Sequence, residues 1–240
     1  EDDNIKDILA DASCPVETYG LTESADWRAT GYRYEAGVGC FTLNHKGLDV
    51  GTIKLPMIGR HNVENTLAVA AVAIKLGIPA QDVCRSFATF KGIKRRQEVV
   101  GQKSGVTVLD DFAHHPTAIG LTIAGVKEAY PKGRVWAVFE PRSATSRRNV
   151  FQEIFPASFA QADETIIAQP YAQEKIPPDE RLDPERLVQD VERSGGKGHY
   201  IPEVEDIVRY LADNCRANDV VLVMSSGGFS GIHQKLLARL

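Results

Sequence analysis

Two patterns of apolar and polar positions divide this chain of 240 residues. Between about residues 30 and 56 the apolar runs are short and strand-like, at 32–35, 39–43 and 50–55, with Gly47 and polar neighbours between them. Such alternation broken by turn residues predicts an antiparallel meander. Residues 63–76 then repeat Ala and Val at helical spacing, stopping at Gly77 in a C′ position with Pro79 beyond. A second short helix is expected over 80–89, followed by a basic loop over 91–96.

After that loop strand and helix alternate about five times. Strands are expected at 106–110, 134–139, 165–168, 199–201 and 220–224, and helices at 118–130, 149–160, 184–193, 204–215 and 231–240. Parallel strands need crossover connections, so this order predicts a mainly parallel α/β sheet with helices on both faces. The change of texture places a domain boundary at residues 92–96 and predicts two domains, 1–92 and 93–240. There is no internal repeat and no low-complexity tract.

In a parallel sheet, ligand-facing residues lie just past the C-terminal ends of the strands. Three polar sets occupy those positions. Asp110, Asp111, His114, His115 and Pro116 follow the first strand; Glu140, Pro141, Arg142, Ser143, Thr145, Arg147 and Arg148 follow the second; Ser225, Ser226, Gly227, Gly228 and Ser230 follow the last. Guanidinium groups, hydroxyls and glycines that bare backbone N–H groups suit an anionic ligand. Each set also has a purely structural reading. Asp111 suits a helix cap, and one of the histidines a satisfied structural role beside Pro116. Adjacent histidines on an extended chain point apart, so no metal site is expected. The cluster from Arg142 to Arg148 suits a solvated helix start, although cations oppose the helix dipole there and an anion would resolve the conflict. The spacing Ser226-x-Gly228-x-x-Gly231 is an imperfect dinucleotide fingerprint after the final strand, with no later strand to carry a ribose-binding acid. In the first part, His61, Asn62 and Asn65 gather at a helix start, where planar amides can read a base edge, and Arg95 and Arg96 arrive at the domain junction, a common place for ligands.

Composition narrows the field. A formal net charge of -4 excludes a dedicated nucleic-acid binder, and no apolar run reaches a membrane span. The acidic start Glu1-Asp2-Asp3-Asn4 is unlike a signal peptide. Cys14, Cys40, Cys84 and Cys215 have no metal-site spacing, so buried free thiols and a reducing cytoplasm are expected. The absence of an initiator Met suggests a portion of a longer protein.

Four motifs, in order and spacing, resemble the Mur ligases, the ATP-dependent amide-forming enzymes of peptidoglycan synthesis. They are His61-Asn62-x-x-Asn65, Arg95-Arg96, Asp111-Phe112-Ala113-His114-His115-Pro116, and Pro141-Arg142 with its following arginines. The resemblance covers nearly the whole chain and implies the back portion of the central ATPase domain over 1–92 and a Rossmann-like C-terminal domain over 93–240. Residues 139–149 and 224–229 look most similar to the branch that recycles peptidoglycan by joining the tripeptide L-alanyl-γ-D-glutamyl-meso-diaminopimelate to UDP-N-acetylmuramate. The branch adding L-alanine to UDP-N-acetylmuramate is the alternative, and a non-catalytic nucleotide-binding module is another. The family's chemistry uses ATP and Mg²⁺ to form an acyl phosphate that the incoming amine attacks. By matched position, His61, Asn62, Asn65, Arg96 and Asp111 are expected on ATP, with Asp111 on the ribose. Arg142, Thr145, Arg148, Ser225, Ser226, Gly227 and Gly228 are expected on the amine substrate, and His114 or His115 near the reacting amine. The family's G-x-x-x-x-G-K-[ST] phosphate loop is not in this sequence. The chain is therefore expected to need the P-loop and UDP-sugar regions for catalysis.

Overall fold

The computed structural model describes residues 3–35 and 37–240. Glu1 and Asp2 of the acidic start lie outside the described residues. The chain forms two compact units, Glu1–Gly92 and Ile93–Leu240.

The first unit holds α1 (Asp3–Ile8), β1 (Tyr19–Gly20), β2 (Trp27–Glu35), β3 (Val38–His45), β4 (Leu48–Leu55), α2 (Arg60–Lys75) and α3 (Ala80–Phe87). The expected meander is present as β2-β3-β4, and β1 adds a short parallel pairing to β2. The strands run longer than their apolar stretches because hydrogen-bonded pairing continues through polar residues. Gly31, at φ +64°, lies in the bulge between Thr30 and Arg33, which breaks the apolar alternation of β2. Lys46 and Gly47 both take positive φ, the requirement of a tight two-residue hairpin turn. One sheet face buries Trp27, Phe41, Leu43, Ile53 and Leu55 against Val63, Leu67 and Ala70 of α2 and against Val83 and Cys84 of α3.

The second unit contains β5 (Glu98–Lys103), β6 (Val106–Asp111), α4 (Pro116–Ala129), β7 (Val135–Glu140), α5 (Phe155–Ser158), β8 (Glu164–Ile167), α6 (Pro184–Arg193), β9 (Gly198–Tyr200), α7 (Val204–Asn214), β10 (Val220–Ser225) and α8 (Ile232–Arg239). Its sheet order is β5-β6-β10-β7-β8-β9, parallel except for β5. Strands β7, β8 and β10 are buried at every position, as expected for a sheet covered on both faces. Ile119, Ile123, Val126, Phe155, Leu187 and Val191 cover one face, and Ile207, Leu211, Ile232 and Leu236 cover the other. The last strand therefore enters the centre, between β6 and β7, and draws the three polar strand ends side by side.

Three departures from expectation appear here. The edge strand β5 is not visible as an apolar run, because an antiparallel edge tolerates Glu98, Gln102 and Lys103. The helix expected over 149–160 is a 3-10 turn, Asn149–Phe151, and the four-residue α5. Pro156 cannot donate in a helix interior and instead opens a new turn. The cysteines are free, yet only Cys84 is buried and Cys14 is exposed, against the expectation of four buried thiols. No helix among the described residues is long and apolar enough to cross a membrane.

Candidate functional site

The carboxyl ends of β6, β10 and β7 carry a connected polar rim. At the end of β6, the Asp111 carboxylate accepts the backbone N–H of Ala113 (2.7 Å) and of Gln97 (2.8 Å) while only 2% exposed. Burial pushes its carboxyl above the ordinary Asp range, against those two amides and the nearby Arg96 charge. These contacts give the acid expected on the ribose a structural task as well. The carboxylate is turned inward and ties the entry to β5 onto the exit of β6. Nor does Asp111 cap the next helix. That cap is His115, whose Nδ1 accepts the Thr117 amide at 3.3 Å, with Pro116 at the first helical position. The His115 ring also meets Phe151 edge-on. Its ring nitrogen and ring edge serve the helix entry, so the structural histidine of the pair is His115. His114, half-buried, shares a 2.8 Å hydrogen bond between Nδ1 and the Phe112 carbonyl.

Only Arg96 of the adjacent pair was expected on a ligand, and Arg95 differs from it sharply. The Arg95 side chain donates to the carbonyls of Ser225 (2.5 Å) and Gly227 (2.7 Å), and its Nε lies 3.3 Å from Asp110. Arg96 is exposed, with its guanidinium 5.7 Å from the Phe112 ring centre. Arg95 thus holds the loop after β10, and Arg96 is the cation available to a ligand.

At the end of β7, buried Glu140 accepts the Ser225 hydroxyl, and that same hydroxyl accepts the Gly227 amide at 2.9 Å. The Arg142 guanidinium lies 3.5 Å from Glu140 and stacks 3.6 Å from the centre of the Tyr171 ring. Ser146, fully buried, accepts the amides of Arg142 (3.1 Å) and Ser143 (3.0 Å) and so shapes this turn. Thr145 is exposed, its hydroxyl 3.4 Å from that of Ser143. Arg148 does not join Arg142 as expected: it is ion-paired with Glu180, and its backbone bridges to Arg181. Arg147 is likewise consumed, donating to the carbonyls of Tyr171 and Ala172. The dipole argument for this cluster also weakens, since the chain after Arg148 forms only the three-residue 3-10 turn Asn149–Phe151. Ser226 and Gly227 are half-buried and Gly228 is exposed on the rim. Tyr171, twenty-three positions beyond Arg148 and on no strand, carries no local signal and was missed.

In the first unit, Asn62 is buried and donates to the Ile58 carbonyl at 2.7 Å, which anchors the loop before α2. Asn65 is exposed, with its amide 3.5 Å from the Asn62 side-chain oxygen, and His61 is half-buried beside it. Among the described residues no group of three His, Cys, Asp or Glu could hold a metal ion.

A covered parallel sheet whose carboxyl edge presents an arginine, a buried acid and a glycine-thinned loop defines a Rossmann-like ligand-binding domain. Residues 95–227 match the glutamate ligase domain of the Mur ligases, and residues 1–73 match the Mur ligase middle domain. The chain belongs to the Mur ligase family. It is 35% identical to a UDP-N-acetylmuramate–L-alanine ligase of Geobacter sulfurreducens across 100% of this chain and 52% of that protein. It is 36% identical to the corresponding ligase of Pelobacter propionicus, over 95% of this chain and 49% of that one. The chain thus spans about half the length of the curated relatives it matches. Among solved structures, a murein peptide ligase of Psychrobacter arcticus is similar at 32% identity and TM-score 0.65, covering 98% of this chain and 48% of that one. The fold is also that of a UDP-N-acetylmuramate–alanine ligase of Thermotoga maritima, at TM-score 0.75, 20% identity and coverage of 93% and 47%. The expected preference for the tripeptide-adding branch is not singled out by these likenesses; the curated relatives favour the L-alanine alternative.

Proposed function

We propose that this chain is part of an ATP-dependent ligase that joins an amine to the carboxylate of UDP-N-acetylmuramate. The observation that carries this reading is the rim at the ends of β6, β10 and β7, set in a chain of Mur ligase sequence. Arg142 there offers a guanidinium for the carboxylate of an incoming amino acid or peptide, the planar pairing that arginine provides best. His114, beside the same rim, suits the task of orienting the attacking amine. Arg96 suits an anionic group of the nucleotide, and His61 and Asn65 suit its base. ATP, when bound, supplies the activation of the muramate carboxylate as an acyl phosphate. The contribution of these side chains is positioning and charge neutralisation. Mg²⁺ in such chemistry is held largely by nucleotide phosphates and water, and among the described residues no group of three His, Cys, Asp or Glu gathers to hold it alone.

The amine is L-alanine on the weight of the curated relatives. A second reading, the murein tripeptide L-alanyl-γ-D-glutamyl-meso-diaminopimelate, is favoured by the 32% identity to a murein peptide ligase across 98% of the chain and by the loops over 139–149 and 224–229. Turnover of the full-length protein with UDP-N-acetylmuramate, ATP and either amine decides between them. Phosphate release with L-alanine supports the first reading; release with the tripeptide alone replaces it with the second. In the same assay Arg142→Ala should raise the KM of the amine about tenfold to a hundredfold and leave that of ATP unchanged. An unaltered amine KM would remove Arg142 from the substrate site.

A further inference from the structure

The Arg142 side chain is held on three sides, on one of them by Tyr171, which lies outside every motif. On one face it stacks on Tyr171, with its Cζ 3.6 Å from the ring centre. Along one edge it faces the buried carboxylate of Glu140 at 3.5 Å. On the remaining side it crosses the backbone of Gly227 so closely that a Cβ built there would lie 2.0 Å from Nε, 2.2 Å from Cδ and 2.5 Å from Cζ. Each wall is itself fixed. Tyr171 donates its amide to the Pro141 carbonyl at 2.9 Å, and Arg147 donates to the Tyr171 carbonyl at 3.1 Å. Glu140 and Gly227 are joined through the Ser225 hydroxyl, and Arg95 clasps the Gly227 carbonyl from the opposite flank.

We propose that Glu140, Tyr171 and Gly227 form a cradle that fixes the direction of the Arg142 guanidinium, with Gly227 required because any side chain there would occupy the space of the arginine. These three are positioning residues and act on the substrate only through Arg142. The consequence for specificity rests on the reading of Arg142 as the group that binds the carboxylate of the amine substrate. A long side chain left to rotate would lose that affinity to rotamer entropy; a stacked and paired one presents its N–H groups in one direction. The atoms that a Cβ at Gly227 would strike belong to a flexible side chain, so Gly227→Ala should displace the arginine and spare the fold.

The test uses the full-length protein with ¹⁵N-labelled arginine, in which the Arg142 Nε–Hε resonance is assigned by its loss in Arg142→Lys. Stacking on Tyr171 should shift this resonance upfield through the ring current. Gly227→Ala and Tyr171→Ala should each abolish the shift and raise the KM of the amine about tenfold, with kcat and the KM of ATP changing less than about threefold. Tyr171→Phe keeps the ring and should restore both the shift and the amine KM. A resonance that stays in place in Gly227→Ala and in Tyr171→Ala overturns the cradle. Should Gly227→Ala fail to fold, the Tyr171 pair decides alone. If the resonance moves while the amine KM does not, the cradle stands and the assignment of Arg142 to the substrate falls.

Discussion

The two edges of the six-stranded sheet are built from the same residue types and do different things. At the amino edge Asp219, just before β10, accepts from Arg134 Nη2 (2.7 Å), Trp136 Nε1 (3.0 Å) and the backbone amides of Arg216 and Arg134, while Arg134 stacks on Trp136. At the carboxyl edge Asp111 and Glu140 are equally buried, and Arg142 stacks on Tyr171. An acid, an arginine and an aromatic ring therefore do not identify a site by themselves. At the amino edge one acid absorbs the cation and closes the hub. At the carboxyl edge the acids are spent on backbone amides, a hydroxyl and one edge of a guanidinium, and a glycine loop keeps the surroundings thin. A cavity of about 280 Å³ does open at the amino edge, lined by Thr107, Tyr130, Lys132 and Asn218 among others. It lies away from every motif residue.

Ionisation separates the edges further. Burial opposes the charge on Asp219, but hydrogen bonds from Arg134, Trp136 and the backbone together hold its carboxyl below the ordinary Asp value of 3.8. Burial dominates at Asp111, whose carboxyl is raised above 3.8 despite its two amide donors. The two acids should therefore respond to acid with opposite sign.

The strongest break of this comparison is Asp219→Ala. It strands the Trp136 N–H, two amides and a partly buried guanidinium, and should cost about 3 kcal/mol in denaturant unfolding of the second unit. The KM of the amine should not change, because the hub lies at the far edge. A smaller effect is expected of Asp111→Asn, about 1–2 kcal/mol, because the Gln97 and Ala113 amides reach different carboxylate oxygens and in Asn one of those positions is an NH₂ donor. Loss of nucleotide affinity without loss of stability would instead restore Asp111 as a ligand group. A pH series sharpens the pair. The stability that Asp219 contributes is present above 3.8 and is lost as pH falls below that value through its folded pKa. Asp111, favoured in its protonated form by the fold, should gain relative to Asp111→Asn as pH falls toward 3.8, and lose that gain as pH rises through its folded pKa. Parallel acid profiles for the two variants would refute the contrast. The smallest expected change is His115→Ala, about 0.5 kcal/mol from loss of the helix cap.

Much of this was legible in the sequence and some was not, for identifiable reasons. The parallel sheet could be read because strands covered on both faces are apolar throughout, as in Val135–Glu140 and Val220–Ser225. The carboxyl-edge rule placed Glu140, Arg142 and Ser225 on one rim before any coordinates. The same rule could not separate Arg142 from Arg148, since both follow one strand. Only the fold brings Glu180 to Arg148 and Tyr171 to Arg142. The contacts of Asp111 were hidden for a related reason: nothing local shows that Gln97, fourteen positions earlier, will turn its amide toward it.

By itself the sequence determined the alternation of elements, the polar strand ends and membership in the Mur ligases, because these depend on periodicity and on residues close together in the chain. Tertiary structure alone decided which polar groups are free to act. That choice depends on burial and on partners brought from distant positions: Gly227 to admit Arg142, Ser225 to join two strand ends, and Gln97 with Ala113 to claim the acid expected to hold the ribose.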